Sequence, residues 1–223
     1  MAAISEREDL LLAYAAGLLP PAHSLVVASQ AALRGDVRRA VGDYEAIGGL
    51  LLAECEPAPL SAGLRQRVMA ALDEEPPPQG DPRPPPQGVS RLPPQGDPRL
   101  PPPLWGYLEG GLEAQRWRRL GPGARDLTLA KQPGSTLRLM WVSGGTTMPA
   151  HSHRGLELTL VLEGAFADCT GAYGPGELQM ADEAVDHSPA VAPGPDCLCL
   201  VASAAPIRLT GRIGRLFNPL IRY

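Results

Sequence analysis

No apolar run in this chain approaches the roughly 20 residues that a membrane-spanning helix needs. The N-terminus also lacks a basic segment followed by an apolar core. Neither insertion nor export is expected, and a cytoplasmic protein is. Positive charge is not in excess: 20 Lys and Arg face 24 Asp and Glu, for a net charge of -4. A nucleic-acid backbone is therefore not expected as a direct partner, so a role in transcription would act through another protein. Cysteine is sparse, and Cys55, Cys169, Cys197 and Cys199 show no zinc-finger spacing, so they are expected to stay reduced. Histidine is just as sparse, with four residues in 223. Three of them, His151, His153 and His187, fall in one region, and only His23 lies outside it.

The chain changes composition twice. Residues 1–74 read as a small helical bundle. Ser5 with Glu8 forms a capping box ahead of Leu10, Leu11, Tyr14 and Leu18, until Gly17, Pro20 and Pro21 end the segment. A second helix is predicted over about 22–33, and a third carries Val37, Val41, Tyr44, Ile47 and Leu51 along one stripe. After Pro57 and Pro59, Ser61 can cap a fourth helix with Leu64, Val68 and Leu72 four apart. Its stripe can pack at home or be offered to a partner, and the pattern favours packing at home.

Residues 75–103 are a linker. An octapeptide of the type Pro-Pro-Pro-Gln-Gly-Asp-Pro-Arg occurs three times between Pro76 and Arg99. Proline fixes φ and removes a donor, so an extended, polyproline-like spacer is expected there. Residues 104–223 read as all-β. Alternating runs such as Thr136–Val142, Glu157–Leu162, Glu177–Met180 and Cys197–Ala202 are separated by Gly and Pro turns, a pattern that fits a jelly roll. The tail from Ile207 to Tyr223 is basic and partly apolar, suited to closing the barrel edge or to contacting a partner. The fold class is thus α+β in two domains.

His151, His153 and Glu157 share parity, so on an extended strand all three point to one side while Leu158, Leu160 and Leu162 point to the other. A polar face backed by an apolar one suits a small barrel that holds an ion. Isolated histidines usually sit in a core or on a surface without metal, but three at fixed offsets beside a spaced glutamate favour an ion. With three imidazoles and a carboxylate the site can be a closed tetrahedral zinc site, or iron(II) or manganese(II) with positions open for chemistry. Cys197 and Cys199 should share one face of a strand, and because buried thiols are usually inert the pattern favours small buried hydrophobes over a redox-sensing pair.

These residues resemble the cupin family. Its first motif is a glycine, five residues, His-x-His, three or four residues, Glu, six residues and a glycine, which Gly145, His151, His153, Glu157 and Gly164 fit throughout. Gly176 and His187 fit the second motif, while Asp182, Ala184 and Val191 stand where Pro, Gly and Asn are expected. The resemblance implies a metal on His151, His153, Glu157 and His187.

The two-domain layout is similar to that of the ChrR-type anti-sigma factors. Asp9–Pro20 with Ser24–Ala28 resembles the opening of that family's helical domain, and Ala205–Phe217 its terminal stretch. In one respect the chain departs. That domain usually carries zinc on a histidine and a His-x3-Cys-x2-Cys motif, and the matching positions here are Ser5, Gln30, Arg34 and Val37. Without that ion the helices must gain enough from their own packing or fold on a partner. The resemblance implies sequestration of an extracytoplasmic-function sigma factor by residues 1–74 and stress sensing by a cupin that holds one metal ion, zinc foremost. A homodimer is also compatible with it. A cupin metalloenzyme of the dioxygenase type is the alternative, and a structural cupin without a partner is a third.

Overall fold

The computed structural model describes residues 2–73 and 96–211. Most of the octapeptide repeat and the tail beyond residue 211 lie outside the described residues. Four α-helices come first: α1 (Ala2–Ala15), α2 (Pro21–Leu33), α3 (Gly35–Ala53) and α4 (Leu64–Asp73). Because α1 begins at Ala2, Ser5 lies within the helix rather than capping it. Gly17 ends α1 in the left-handed region, at φ 69°. There Gly17 N–H donates to Tyr14 O and Leu18 N–H to Ala13 O, the paired bonds that close a helix C-terminus. Pro21 then opens α2, where its missing N–H costs nothing.

Two 3-10 turns, Pro102–Tyr107 and Leu112–Ala114, lead into the β region. Its strands are β1 (Arg118–Gly121), β2 (Ala124–Gln132), β3 (Ser135–Val142), β4 (His151–Ser152), β5 (Glu157–Glu163), β6 (Phe166–Asp168), β7 (Gly171–Tyr173), β8 (Leu178–Ala181), β9 (Cys197–Ser203) and β10 (Arg208–Leu209). A six-stranded antiparallel sheet runs in the order β1-β2-β3-β9-β5-β8. The pairs β4–β10 and β6–β7, joined by bridges at His151–His187, Thr147–Ala190 and Ala167–Ala190, form the facing layer.

Both faces of the central strands are buried, as the uniformly buried β9 shows. Leu137, Leu139, Leu158, Leu160, Leu198 and Leu200 form one core together with Val26, Val27, Val37, Leu10 and Leu11 of the helices. The opposite face, with Val161, Val201, Cys197 and Cys199, looks into the barrel. The predicted alternation therefore holds, but the outer leucines face α2 rather than solvent. At about 2 kcal/mol per fully buried leucine or valine, this shared core dominates the helical unit's stability. A helix-only core would have little to draw on, since Val37 and Val41 are the only buried residues of α3.

Two expectations need correction. α4 buries no residue, and Val68, Met69 and Leu72 are 51%, 54% and 73% exposed. The exposed segment around Pro57 and Pro59 carries it off the body, and a periodic stripe does not reveal whether a surface exists to meet it. The end of the linker is also not a spacer. Asp97 accepts from Leu112 N–H at 2.9 Å and pairs with Arg99, while Leu100 is buried in the main core.

Candidate metal centre

His151 and His187 are backbone partners: each N–H donates to the other's carbonyl, at 2.9 and 3.0 Å. This bridge between β4 and the segment after β8 is what brings the two cupin motifs together. His153 completes the group, and one ring nitrogen from each of the three lies within 4.8 Å of the others. The His153 and His187 Nε2 atoms face each other at 2.8 Å. His151 Nδ1–H donates to Pro149 O at 2.8 Å, which leaves its Nε2 for the interior. Glu157, the first residue of β5, is buried beside them but does not join the close group. Its Oε2 lies 3.4 Å from His153 Nδ1 and 3.9 Å from Arg138.

Neither His153 Nδ1 nor Glu157 Oε2 has a hydrogen-bond partner, although both are buried. An ion between the facing Nε2 atoms of His153 and His187, which lie 2.8 Å apart, would satisfy both lone pairs, and the unpartnered Glu157 Oε2 is a further oxygen donor nearby, so the donor set fits an imidazole-binding metal. Burial pushes the Glu157 carboxyl up, yet His153, Arg138 and His151 together outweigh it and hold it below its ordinary value. Burial lowers His151, which keeps the imidazole neutral and able to act as a ligand.

Behind the histidines stands a support that no motif announced. His187 Nδ1–H donates to Asp168 Oδ2, and Gln179 Nε2 donates to the same oxygen. Thr170 donates to Asp168 Oδ1 through N–H at 2.7 Å and Oγ1–H at 2.6 Å. Burial opposes ionisation of Asp168, but the bonds from Thr170, His187 and Gln179 prevail and bring it down to about 2. A carboxylate so placed fixes the His187 tautomer and turns its Nε2 inward. A second ionic chain lies beside it: Arg118 grips buried Asp126 at 2.7 and 2.9 Å, and Arg138 lies between Asp126 and Glu157.

The second motif's missing proline and glycine are compensated locally. Asp182 Oδ1 accepts from Ala184 N–H at 2.8 Å, an Asx turn, and Val191 is buried in the barrel wall. The motif glycine Gly164, at φ 71°, has no room for a side chain, since a Cβ would sit 2.2 Å from Asp196 O.

Cys197 and Cys199 do share one face. Both are buried on the cavity wall, with sulfurs 3.5 Å apart. The contact with Cys197, reinforced by burial, pushes the Cys199 thiol well up, whereas hydrogen bonding to Cys199 pulls Cys197 down. Cys169 and Cys55 are exposed and far apart in the sequence.

The positions matching the family's helical zinc motif have other uses here. Gln30 Nε2 donates to Gly176 O at 3.3 Å, Arg34 pairs with Asp36, and Val37 is fully buried. Arg34 also packs on Gly176, whose φ is 79°. His23, alone in sequence, is buried against the barrel, with its Nε2 3.0 Å from Leu156 O.

A buried triad of histidines that could hold a metal, inside a small double-layered barrel with helices packed on its outer face, defines a cupin-type protein with a helical appendage. Comparison with known proteins narrows that class. A family model described as the ChrR Cupin-like domain matches residues 111–206. The anti-sigma-E factor ChrR of Cereibacter sphaeroides is 43% identical over 220 residues, covering 96% of each chain. The chain therefore belongs to the ChrR family of anti-sigma factors. A crystal structure of Rhodobacter sphaeroides SigE in complex with the anti-sigma ChrR is also similar, with 42% identity, a TM-score of 0.74, and 88% of this chain and 96% of that one covered. Among the described residues no helix is long and apolar enough to cross a membrane.

Proposed function

We propose that this chain sequesters an extracytoplasmic-function sigma factor through its helices and senses stress through a metal held in its cupin barrel. The observation that carries the reading is an exposed apolar surface on the helical unit of a chain related to an anti-sigma factor along 96% of its length. At the end of α3, Leu50, Leu51 and Leu52 are 70%, 61% and 73% exposed, and α4 exposes Val68, Met69 and Leu72 as well. Surfaces of this kind mark protein interfaces. The relative of known structure is in complex with SigE, so a sigma factor is the partner proposed for this surface. A protein that holds a sigma factor works in the cytoplasm.

His151, His153, His187 and Glu157 are the proposed ligands, and zinc the proposed ion, with iron(II) or manganese(II) as alternatives. Glu157 would supply the carboxylate from its place beside His153. Bound there, the ion would tie β4, β5 and the His187 segment together. α2 meets this region through Leu156, just before β5, and Gly176, in the turn before β8. Cys197 and Cys199 are the proposed redox pair: with a peroxide as oxidant, the two thiols would lose two electrons and two protons and join as a disulfide. The related protein is an anti-sigma factor, so the dioxygenase reading is not adopted.

The test is release. A complex of the parent chain with its sigma factor should dissociate on stress, and a His187→Ala chain should still bind but fail to respond. A variant that responds as the parent does would remove the metal centre from the mechanism.

A further inference from the structure

Beyond the histidines, the barrel gathers a second group of metal-ligating atoms, and all of them are sulfur. Cys197 and Cys199 alternate along β9 and turn to the interior, with their sulfurs 3.5 Å apart. Strand β3 places Met140 directly across from Cys199, and Val142 across from Cys197. Side chains paired in this way have Cβ atoms about 4.5–5.5 Å apart, within reach of a methionine sulfur. Met140 also packs, with Met148, against the cluster that holds both cysteines. These side chains line a cavity of about 470 Å³, which leaves room for an ion without repacking the core.

The sulfurs stand apart from the histidine centre in place and in chemistry. Cys199 pairs with Val161 on β5, four residues beyond Glu157, or about 13 Å along the strand at 3.3 Å per residue. Imidazole and carboxylate suit zinc, iron(II) or manganese(II), whereas thiolate combined with thioether suits a soft ion, Cu(I) above all. With metal–sulfur bonds of about 2.3 Å, sulfurs 3.5 Å apart subtend an angle of about 100° at the ion. That angle is far from linear, so two thiolates alone do not complete the site. A third ligand is needed, and the thioether across from Cys199 is in place to be one.

We propose that Cys197, Cys199 and Met140 bind one Cu(I) ion. Thiolates are the ligands, so binding exchanges the two thiol protons, released to solvent, for the ion. Hydrogen bonding to Cys199 already favours the thiolate at Cys197. The site uses the reduced thiols, so it stands independently of their oxidation by peroxide and of whether the helices hold a sigma factor.

Anaerobic titration of the full chain with Cu(I), held by a competing colorimetric chelator, tests the proposal. Cys55 and Cys169 are exposed thiols, so the titration is made in a chain carrying Cys55→Ser and Cys169→Ser. One Cu(I) per chain is expected, with a thiolate-to-copper charge-transfer band in the ultraviolet. Cys197→Ala with Cys199→Ala exchanges small buried side chains for one of similar size and should lose both the ion and the band. Met140→Leu keeps the core volume and should weaken binding about tenfold. His187→Ala should bind Cu(I) as tightly as the unaltered site, which separates the sulfurs from the histidine centre. The proposal is overturned if the chain takes up no Cu(I), if Met140→Leu or the folded double-alanine variant binds it undiminished, or if His187→Ala loses it.

Discussion

His23 Nε2–H donates to the carbonyl of Leu156 at 3.0 Å, and the next residue is Glu157. A buried side chain of the helical unit is thus tied to the backbone that positions a proposed metal ligand. Gln30 makes the equivalent tie to Gly176, at the start of the second motif. Replacing His23 by Ala should cost about 2–4 kcal/mol, from a lost hydrogen bond and a small cavity. Urea denaturation of the full chain should show the lower midpoint, and an unchanged midpoint would mean that this contact carries no weight.

The helices lean on the barrel for their core, because Val26, Val27 and Val37 pack in one cluster with Leu137, Leu158 and Leu200. A fragment of residues 1–73 should therefore be largely unfolded by circular dichroism and should gain helix only with a partner. A cooperative thermal transition in the isolated fragment would show that the helices suffice alone.

Asp168 orients His187 from behind, so its replacement should affect the ion more than the fold. Asp168→Asn is expected to lower metal affinity about 10–100-fold while keeping a folded barrel. Competition with a chromogenic chelator would read the change, and affinity equal to the parent's would assign His187's orientation to its backbone alone.

Acid should destabilise the body through Asp97. The Arg99 guanidinium and the Leu112 N–H hold this carboxyl well below the usual carboxylate range against the opposing effect of burial. A group whose folded value is depressed stabilises the fold fully above its unfolded value of about 3.9 and loses that contribution as pH falls below it. The acid limb of a stability profile should accordingly flatten below about pH 4 in Asp97→Asn. A limb of unchanged slope would exclude Asp97 as a source of acid sensitivity.

Much of the barrel was legible because alternation is a rule of strands. Glu157, Thr159 and Val161 face the barrel, and Leu158, Leu160 and Leu162 face the helical layer, as parity requires. His151, His153 and His187 were legible through their spacing and converge as expected. Asp168 was not, since it lies 19 positions before His187 on a three-residue strand and its role depends on a turn that only the fold creates. The exposure of α4 was equally hidden, because Leu64, Val68 and Leu72 have the same spacing whether or not a partner surface is present. His23 carried no motif, and its burial follows from the docking of α2 on the sheet.

Sequestration of a sigma factor is the central claim, and α4 offers the sharpest probe of it. Val68→Asp with Leu72→Asp alters side chains that are already exposed, so the melting temperature should stay close to the parent's. The measurement to make is a binding titration of the full chain and of this double variant against the extracytoplasmic-function sigma factors of the same genome. The account predicts a stable one-to-one complex for the parent with at least one of them and a large loss of affinity for the variant. Absence of a complex with every such sigma factor, from a folded parent chain, would contradict it.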